Sequence, residues 1–249
     1  MATKASLYIR VKVRELFPPD DPIVPSLLRL MTAVNDLRTL QKMWLHANSR
    51  KGTTQSEKAI IKAESIYLFR LTFATLYEAA KAFQDFKKAL TEGGQLASIE
   101  KMGTEAREAF HTLANAFQEK FEETEWGKKL LQLRQSAFHY YSPKVFRQEL
   151  LKHRELGDVI IGEIDGVSRY LVTDDLQVQI IERVIGADFE NELRALGKTV
   201  AGLTGELSIL TDHWIDLQIK SRADAIVERR EDSVDMDGLW KILAREGEP

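Results

Sequence analysis

An uninterrupted apolar repeat between residues 188 and 229 constrains the fold of this chain more than any other feature. Apolar residues recur there at steps of three and four, the spacing of a heptad seam along one long helix. The seam consists of Leu193, Leu196, Val200, Leu203, Leu207, Leu210, Trp214 and Leu217. Gly197, Gly202 and Gly205 interrupt it and predict close approach of another helix. The seam can pack inside a helical bundle or form a dimer interface, and the sequence leaves both open.

Earlier parts of the chain show the same helical spacing of apolar residues, and Trp44 and Tyr67 fall on the stripes predicted to be buried. A first helix is predicted to start at Asp21-Pro22, because Asp is a good N-cap and Pro fits the first helical position. A second helix is predicted from Thr54 to Leu90. A third begins with Thr104 as its cap, and a fourth runs from Thr124 to Phe138. A short helix beginning at Ser142-Pro143 is predicted to close at Gly157.

Two stretches favour β-structure. Around residues 7–14 apolar and charged or polar residues alternate, which indicates one short strand or an extended arm. Two β-like runs flank Asp165-Gly166, and this dipeptide between such runs predicts a hairpin over 158–174. Further helices are predicted over 176–245, with the long one extending from Asp188 to about Arg229.

Composition supports an all-α fold, an up-and-down bundle of long helices with a small β-hairpin insertion. The chain of 249 residues has only 14 Gly and 6 Pro, too few turn residues for an all-β protein. Since no Pro- or Gly-rich linker divides it, we expect a single domain over 1–249, with a bundle at 22–155, the hairpin at 158–174 and C-terminal helices at 176–245.

Charge and cysteine content exclude several function classes. The net charge of −3 argues against a strongly basic nucleic-acid coat protein but allows an enzyme with one local RNA cleft. With no cysteine, thiolate catalysis and Cys-based zinc sites are impossible, and a cytoplasmic setting is the simple expectation. No run of about 18 apolar residues predicts a membrane helix. Nucleotide-binding glycine loops and helical His-based zinc motifs are absent, so neither cofactor nor metal is predicted.

The segment that carries recognisable chemistry is Leu133 to Tyr141, with sequence LRQSAFHYY. Arg134 supplies a fixed guanidinium fork that can hold a phosphate bidentately. His139 can exchange a proton near neutral pH. Together they provide what RNA cleavage by its own 2′-hydroxyl requires, namely a base for the hydroxyl and a cation for the phosphorane charge. No metal is needed for this reaction.

The spacing between the two residues restricts how they can meet. Five residues leave Arg134 and His139 roughly 140° apart around a straight helix. They converge if the helix frays or bends near His139, or if two chains bring two such helices together, so a composite dimeric site follows. A second pair of similar spacing, Arg147 and His153, shows that the bare spacing is a weak signal.

This context resembles the HEPN superfamily of helical bundles, which carry Arg-polar-x3-His near the end of a late helix. Many members are metal-independent RNases of toxin–antitoxin, abortive-infection and CRISPR-associated defence systems, and others are inactive binding modules. The resemblance covers roughly residues 22–155, and the Phe-His-Tyr segment is similar to abortive-infection members. It implies that Arg134 binds phosphate and that His139 is the general base or acid.

The same resemblance implies auxiliary residues and partners. Gln135 holds the polar position, where Asn or Asp is more usual, and Tyr140 flanks the histidine. Tyr141 matches the Arg-x4-His-x-Tyr variant, in which a nucleotidyltransferase antitoxin can modify the tyrosine with AMP. The implied partners are therefore an RNA substrate, a second copy of the chain and an antitoxin or nucleotidyltransferase, with no membrane.

A structural interpretation of the motif stays open beside the catalytic one. Arg134 can pair with a neighbouring carboxylate, and His139 can be satisfied by backbone at a helix end. The corresponding second hypothesis for the whole chain is a non-catalytic helical interaction module, which dimerises or binds a protein partner through the seam at 193–217.

Overall fold

The structure is a computed structural model that describes residues 5–135, 181, 184–185, 188–222 and 226–233. These ranges are mainly helical, as the sequence predicts. The strands are β1 (Ala5–Val11) and β2 (Ile226–Ser233), and the helices are α1 (Val13–Leu16), α2 (Val24–Ser49), α3 (Gln55–Glu92), α4 (Ala97–Glu100), α5 (Thr104–Ala116), α6 (Glu125–Arg134) and α7 (Phe189–Ser221). A 3₁₀ turn, Phe121–Glu123, precedes α6.

Helix α3 begins where its sequence predicts, because Thr54 and Glu57 form a capping box. The Glu57 backbone N–H donates to Thr54 Oγ1 at 3.1 Å, and the Thr54 backbone N–H donates to Glu57 Oε2 at 3.0 Å. Hydrogen bonds from the Thr53 hydroxyl and the Thr53 and Thr54 backbones lower the pKa of Glu57 to about 2. The carboxylate thereby satisfies donors that the start of the helix leaves without partners.

Two predicted helix starts are displaced. Helix α2 begins at Val24 rather than at Asp21-Pro22, because Asp21 forms a turn in which its Oδ1 accepts from the Ile23 N–H at 3.1 Å. Thr104 is the first residue of α5 rather than its cap, and Gly103 holds the capping position with φ +30°. A positive φ suits glycine, which lacks a Cβ.

One large core joins the helices, and a smaller apolar cluster of Leu40, Ala47 and Leu68 lies apart from it. Helix α2 packs along α3, α5 packs on α7, and α6 packs on α3. Aromatic side chains fill the centre of this core, where Phe86 meets Trp214 edge-on with 5.2 Å between ring centroids. Phe83 is fully buried, and its ring centroid lies 5.7 Å from that of Phe110 and 6.0 Å from that of Phe117.

The heptad seam lies in this core. Its residues from Leu196 to Trp214 are buried, and Leu207 and Leu210 are completely enclosed. On the same buried face, the hydroxyls of Thr204 and Thr211 donate to backbone carbonyl oxygens one helical turn earlier, so these polar side chains have hydrogen-bond partners. Of the two arrangements that the sequence allows, the structure favours packing inside the bundle over an interface with another chain. The predicted close approach of another helix at Gly197, Gly202 and Gly205 is wrong, because all three are exposed and an added Cβ would meet no atom within 4 Å.

The prediction that the long helix continues to about Arg229 is wrong. Helix α7 ends at Ser221, and β2 pairs antiparallel with β1, with Ala5 opposite Ser233 and Arg10 opposite Glu228. Most of the alternating stretch at residues 7–14 therefore forms a strand, which is one of the two predicted options, while Val13 and Arg14 begin α1. The sequence of β2 is highly charged, and its first half lies within the predicted long helix. Pairing with β1, rather than the local propensity of these residues, therefore determines the conformation of β2.

Several predictions fall on residues outside those described. They are the short helix at 142–157, the β-hairpin at 158–174 and the terminal helix after 235. Within the described residues, two aromatic side chains that the sequence assigns to buried stripes are instead exposed: Trp44 is 40% exposed and Tyr67 is 55% exposed. None of the described helices combines the length and hydrophobicity that crossing a lipid bilayer requires.

Candidate functional site

Helix α6 carries Arg134 as its last residue, and its start is fixed by a close backbone contact. Thr124 caps the helix by accepting a 3.0 Å hydrogen bond from the Gly127 N–H. Gly127 is buried against the preceding 3₁₀ turn, and a Cβ at this position would lie 1.7 Å from the Phe121 carbonyl oxygen. Only glycine fits here, so the sequence sets the position of α6, and with it Arg134, against the turn.

Arg134 reaches from α6 to the middle of α3. Its Nη2 donates to Glu78 Oε1 at 2.8 Å, and its guanidinium carbon lies 4.6 Å from the ring centroid of Tyr77. A guanidinium at this distance over an aromatic face gains a cation–π contact in addition to its ion pair. The side chain is 24% exposed, so it is held in place without being enclosed.

Glu78 is shared between two arginines. Arg29 on α2 also binds it, with 3.3 Å between Nη2 and Glu78 Oε2, and donates a second hydrogen bond to Asp85. The carboxylate of Glu78 therefore links α2 to α6 through α3. The pairing of Arg134 with Glu78 is the contact that the structural interpretation of the motif predicts.

Tyr77 and Glu122 form the other half of the cluster. The Tyr77 hydroxyl donates to Glu122 Oε1, and Lys81 Nζ lies 2.8 Å from the same oxygen. Lys81 also lies over the rings of Tyr77 and Phe121, at 5.7 Å and 5.5 Å from their centroids. Because Tyr77 and Lys81 are one helical turn apart, α3 presents both to the 3₁₀ turn.

The environment shifts the pKa values of this pair in opposite directions. Burial raises the pKa of Tyr77 to about 12, with the hydrogen bond and negative charge of Glu122 adding to the effect. Hydrogen bonds from Lys81 and Tyr77 lower the pKa of Glu122. At neutral pH the tyrosine is protonated and the glutamate ionised, which is the state that the hydrogen bond between them requires.

The charges of the cluster balance. Three cations (Arg29, Lys81 and Arg134) face three carboxylates (Glu78, Asp85 and Glu122). Such a cluster holds its side chains in defined orientations. The guanidinium N–H donors that are not used in these ion pairs are the groups that could bind a ligand. Arg134 uses Nη2 in its described hydrogen bond, and a guanidinium has five N–H donors in all.

The remaining residues of the predicted site fall at or beyond the end of the described helix. Gln135 is the C-cap of α6, and its side chain is exposed. His139, Tyr140 and Tyr141 lie outside the described residues. The structure thus locates the guanidinium of the motif, and the convergence of Arg134 with His139 stays a prediction.

Sequence reasoning missed Tyr77, Glu78, Lys81 and Glu122 as partners of the motif. A weak signal existed within α3, because Tyr77 and Lys81 are four residues apart and therefore share a face. No local signal indicates the pairing of Glu78 with Arg134, which are 56 positions apart. Glu122 belongs to the acidic stretch before α6, and its role here is to accept hydrogen bonds from α3.

The described histidines lie away from this cluster. His111 is exposed on α5, and His213 on α7 has its Nδ1 2.9 Å from the Ile209 carbonyl oxygen. Across the described ranges, no group of three or more His, Asp or Glu side chains is arranged to hold a metal ion.

No family model, curated protein or solved structure matches the chain. The motif and the contacts of Arg134 are therefore the features that bear on function.

Proposed function

We propose that this chain is a metal-independent endoribonuclease of the HEPN type, acting as a homodimer. Arg134 binds the scissile phosphate and stabilises the charge of the phosphorane, and His139 is the general base or acid. The observation that supports the proposal is the state of Arg134. Its guanidinium is fixed by Glu78 and Tyr77 at the end of α6 and remains partly exposed.

A fixed guanidinium is what phosphoryl chemistry needs. Its orientation is established before substrate binds, so little reorganisation is required when charge develops on the phosphate oxygens. Glu78 occupies one edge of the fork, and the donors on the remaining edges can face two phosphate oxygens. In this arrangement Glu78 acts as a positioning residue.

The reaction follows from these roles. His139 removes the proton of a 2′-hydroxyl, and the resulting oxygen attacks the adjacent phosphorus. The bond to the 5′-oxygen breaks, and a protonated imidazole returns a proton to that leaving group. The products are a 2′,3′-cyclic phosphate and a free 5′-hydroxyl. Since one imidazole cannot face both oxygens at once, we propose that a second copy of the chain supplies the other.

The biological role that goes with this chemistry is a toxin or antiviral defence effector. An enzyme that cuts RNA in its own cell requires restraint, and an antitoxin would provide it. Tyr141 is the residue that a nucleotidyltransferase partner would modify with AMP, which would place negative charge beside the phosphate-binding site.

The test is RNA cleavage by purified protein in EDTA, with the product ends identified. Arg134→Ala and His139→Ala are each expected to lower the cleavage rate by about 10²–10⁴-fold while the protein remains folded. Cleavage by His139→Ala at the wild-type rate, or no cleavage by wild type in EDTA, would show that the proposal is wrong.

Matched controls separate chemistry from structure. Arg29→Ala removes the other arginine bound to Glu78, and His111→Ala removes an exposed histidine distant from α6. Both variants are expected to cleave RNA at about the wild-type rate. If Arg29→Ala and Arg134→Ala lost activity equally, the effect would belong to the integrity of the ion-pair cluster rather than to phosphate binding.

A further inference from the structure

A half-open groove of about 650 Å³ lies between α2, α3 and α7, outside the Arg134 cluster. The buried side chains of Phe73 and Val200 form its floor, while Trp44 and Leu45, 40% and 64% exposed, form its edge. This volume falls within the range of roughly 300–1,000 Å³ that is usual for small-molecule sites. Two large apolar side chains are thus exposed side by side at one edge of the groove.

The polar groups at the groove are mainly hydrogen-bond donors. Arg194 and Lys198 line the α7 wall, and neither forms an ion pair with any carboxylate that the structure describes. Gln41 lines the α2 wall, and its Nε2 is buried without a hydrogen-bond partner. No Asp or Glu is among the described residues of the lining. An apolar groove with two cations that pair with no described carboxylate complements a molecule that combines an apolar body with an anionic head.

We propose that this groove binds a free, single-chain amphiphilic anion, a long-chain carboxylate. Its alkyl chain lies on Phe69, Phe73 and Val200, and its carboxylate meets Arg194 and Lys198. Burial of the chain supplies most of the affinity, and the two cations give selectivity for the anionic head. This site is separate from the proposed RNA site and does not depend on it.

The groove owes its width to glycine and alanine on α7. Gly197 and Ala201 both line it, one turn apart, and a Cβ at Gly197 would meet no atom within 4 Å. Gly202 is exposed on the same helix, is outside the lining, and also has open space around its Cβ position. Gly197→Leu therefore fills the groove, and Gly202→Leu makes the same substitution outside it.

The experiment is calorimetric titration of the full-length protein with dodecanoate and with dodecyltrimethylammonium, both as monomers. Dodecanoate is expected to bind one to one, and the cation, with the same chain, roughly tenfold more weakly. Shortening the acid to octanoate should weaken binding by about two- to fourfold for each methylene removed. Equal binding of the two head groups, or no binding of dodecanoate, overturns the proposal.

The variants locate the site. Gly197→Leu is expected to weaken dodecanoate binding by at least about tenfold, and Gly202→Leu to leave it unchanged. Lys198→Ala should lower dodecanoate affinity roughly fivefold and should not lower that of the cation, because it removes a positive charge beside the head group. Circular dichroism and thermal melting establish that each variant is folded. Unchanged binding by Gly197→Leu, or association only with anionic phospholipid vesicles and not with the free acid, contradicts the proposal.

Discussion

Arg134 donates a 2.8 Å hydrogen bond to Glu78, and this contact joins the last residue of α6 to the middle of α3. Tyr77, the residue before Glu78, lies under the same guanidinium. Two adjacent residues of α3 therefore determine where the charge of Arg134 lies. The proposed catalytic role and a structural role both use this contact.

The Glu78–Arg134 pair is expected to contribute modestly to stability. A double-mutant cycle with Glu78→Gln and Arg134→Gln should give a coupling free energy of about 0.5–1 kcal/mol, because both side chains retain solvent contact. The same cycle with Arg29→Gln should give a smaller value, since its contact is longer and Arg29 is about half exposed. Urea unfolding measures both, and a larger coupling for Arg29 would contradict this ranking.

Removing the Tyr77 hydroxyl is expected to destabilise the protein. Tyr77→Phe leaves Glu122 without one of its donors and should lower the free energy of unfolding by about 1 kcal/mol at neutral pH. Tyr67→Phe removes a hydroxyl from a tyrosine that is 55% exposed and should have no measurable effect. Chemical denaturation of the two variants in parallel makes the comparison, and equal stability of both would count against the Tyr77–Glu122 bond.

The raised pKa of Tyr77 also predicts a dependence on alkaline pH. Its value of about 12 in the folded protein is above the ordinary value of 10.0. A raised pKa means that the stabilisation is complete below pH 10 and is lost as pH rises towards 12. Wild type should therefore lose more stability than Tyr77→Phe over this interval, as measured by unfolding at fixed alkaline pH values. If wild type and Tyr77→Phe lost the same stability between pH 10 and 12, the pKa of Tyr77 would not be raised in the folded protein.

Acid should weaken the capping box at the start of α3. The pKa of Glu57 is lowered from 4.5 to about 2, so its stabilisation is present above pH 4.5 and is lost as pH falls through 2. Glu57→Gln should reduce this acid-dependent loss, whereas Glu108→Gln, which removes an exposed carboxylate of α5, should retain it. Independently, Thr54→Ala should cost about 1 kcal/mol. An unchanged acid profile in Glu57→Gln would contradict the role of the carboxylate.

Two glycine substitutions should act in opposite directions. Gly127→Ala places a methyl group against the Phe121 carbonyl and should cost about 1–3 kcal/mol or more, because backbone has to move. Gly202→Ala meets no atom within 4 Å and should stabilise α7 by about 0.5–1 kcal/mol. Thermal unfolding measures both effects. If Gly127→Ala left stability unchanged, the backbone around Gly127 and Phe121 would be less tightly packed than the structure indicates.

Much of the helical framework was predictable because its signals are local. The capping box at Thr54 and the uninterrupted seam on α7 each lie within a few turns of one helix, so propensity and spacing determine them. The start of α2 was misplaced because Asp21 can cap either a helix or a turn, and Pro22 fits both. The strand at 226–233 was missed because its conformation depends on residues 5–11, more than 200 positions away.

The candidate site was predictable only in part, for a related reason. Arg134 stands out through the motif around it, yet Tyr77 and Glu78, which hold it, come from α3. Pairing between side chains so distant in sequence depends on how the helices pack, and no pattern within either helix specifies it. Trp44 illustrates the converse. Its helical spacing predicts burial, yet its side chain is partly exposed at the edge of the groove between α2, α3 and α7.

The pairing of β1 with β2 has a consequence for the order of folding. Contacts between α2 and α3 join neighbouring elements and can form early, whereas β1 emerges from the ribosome long before its complement exists. Until residues 226–233 are synthesised, the N-terminal strand has an unsatisfied edge that other chains could occupy. The sheet can therefore form only after all of the described helices have been synthesised.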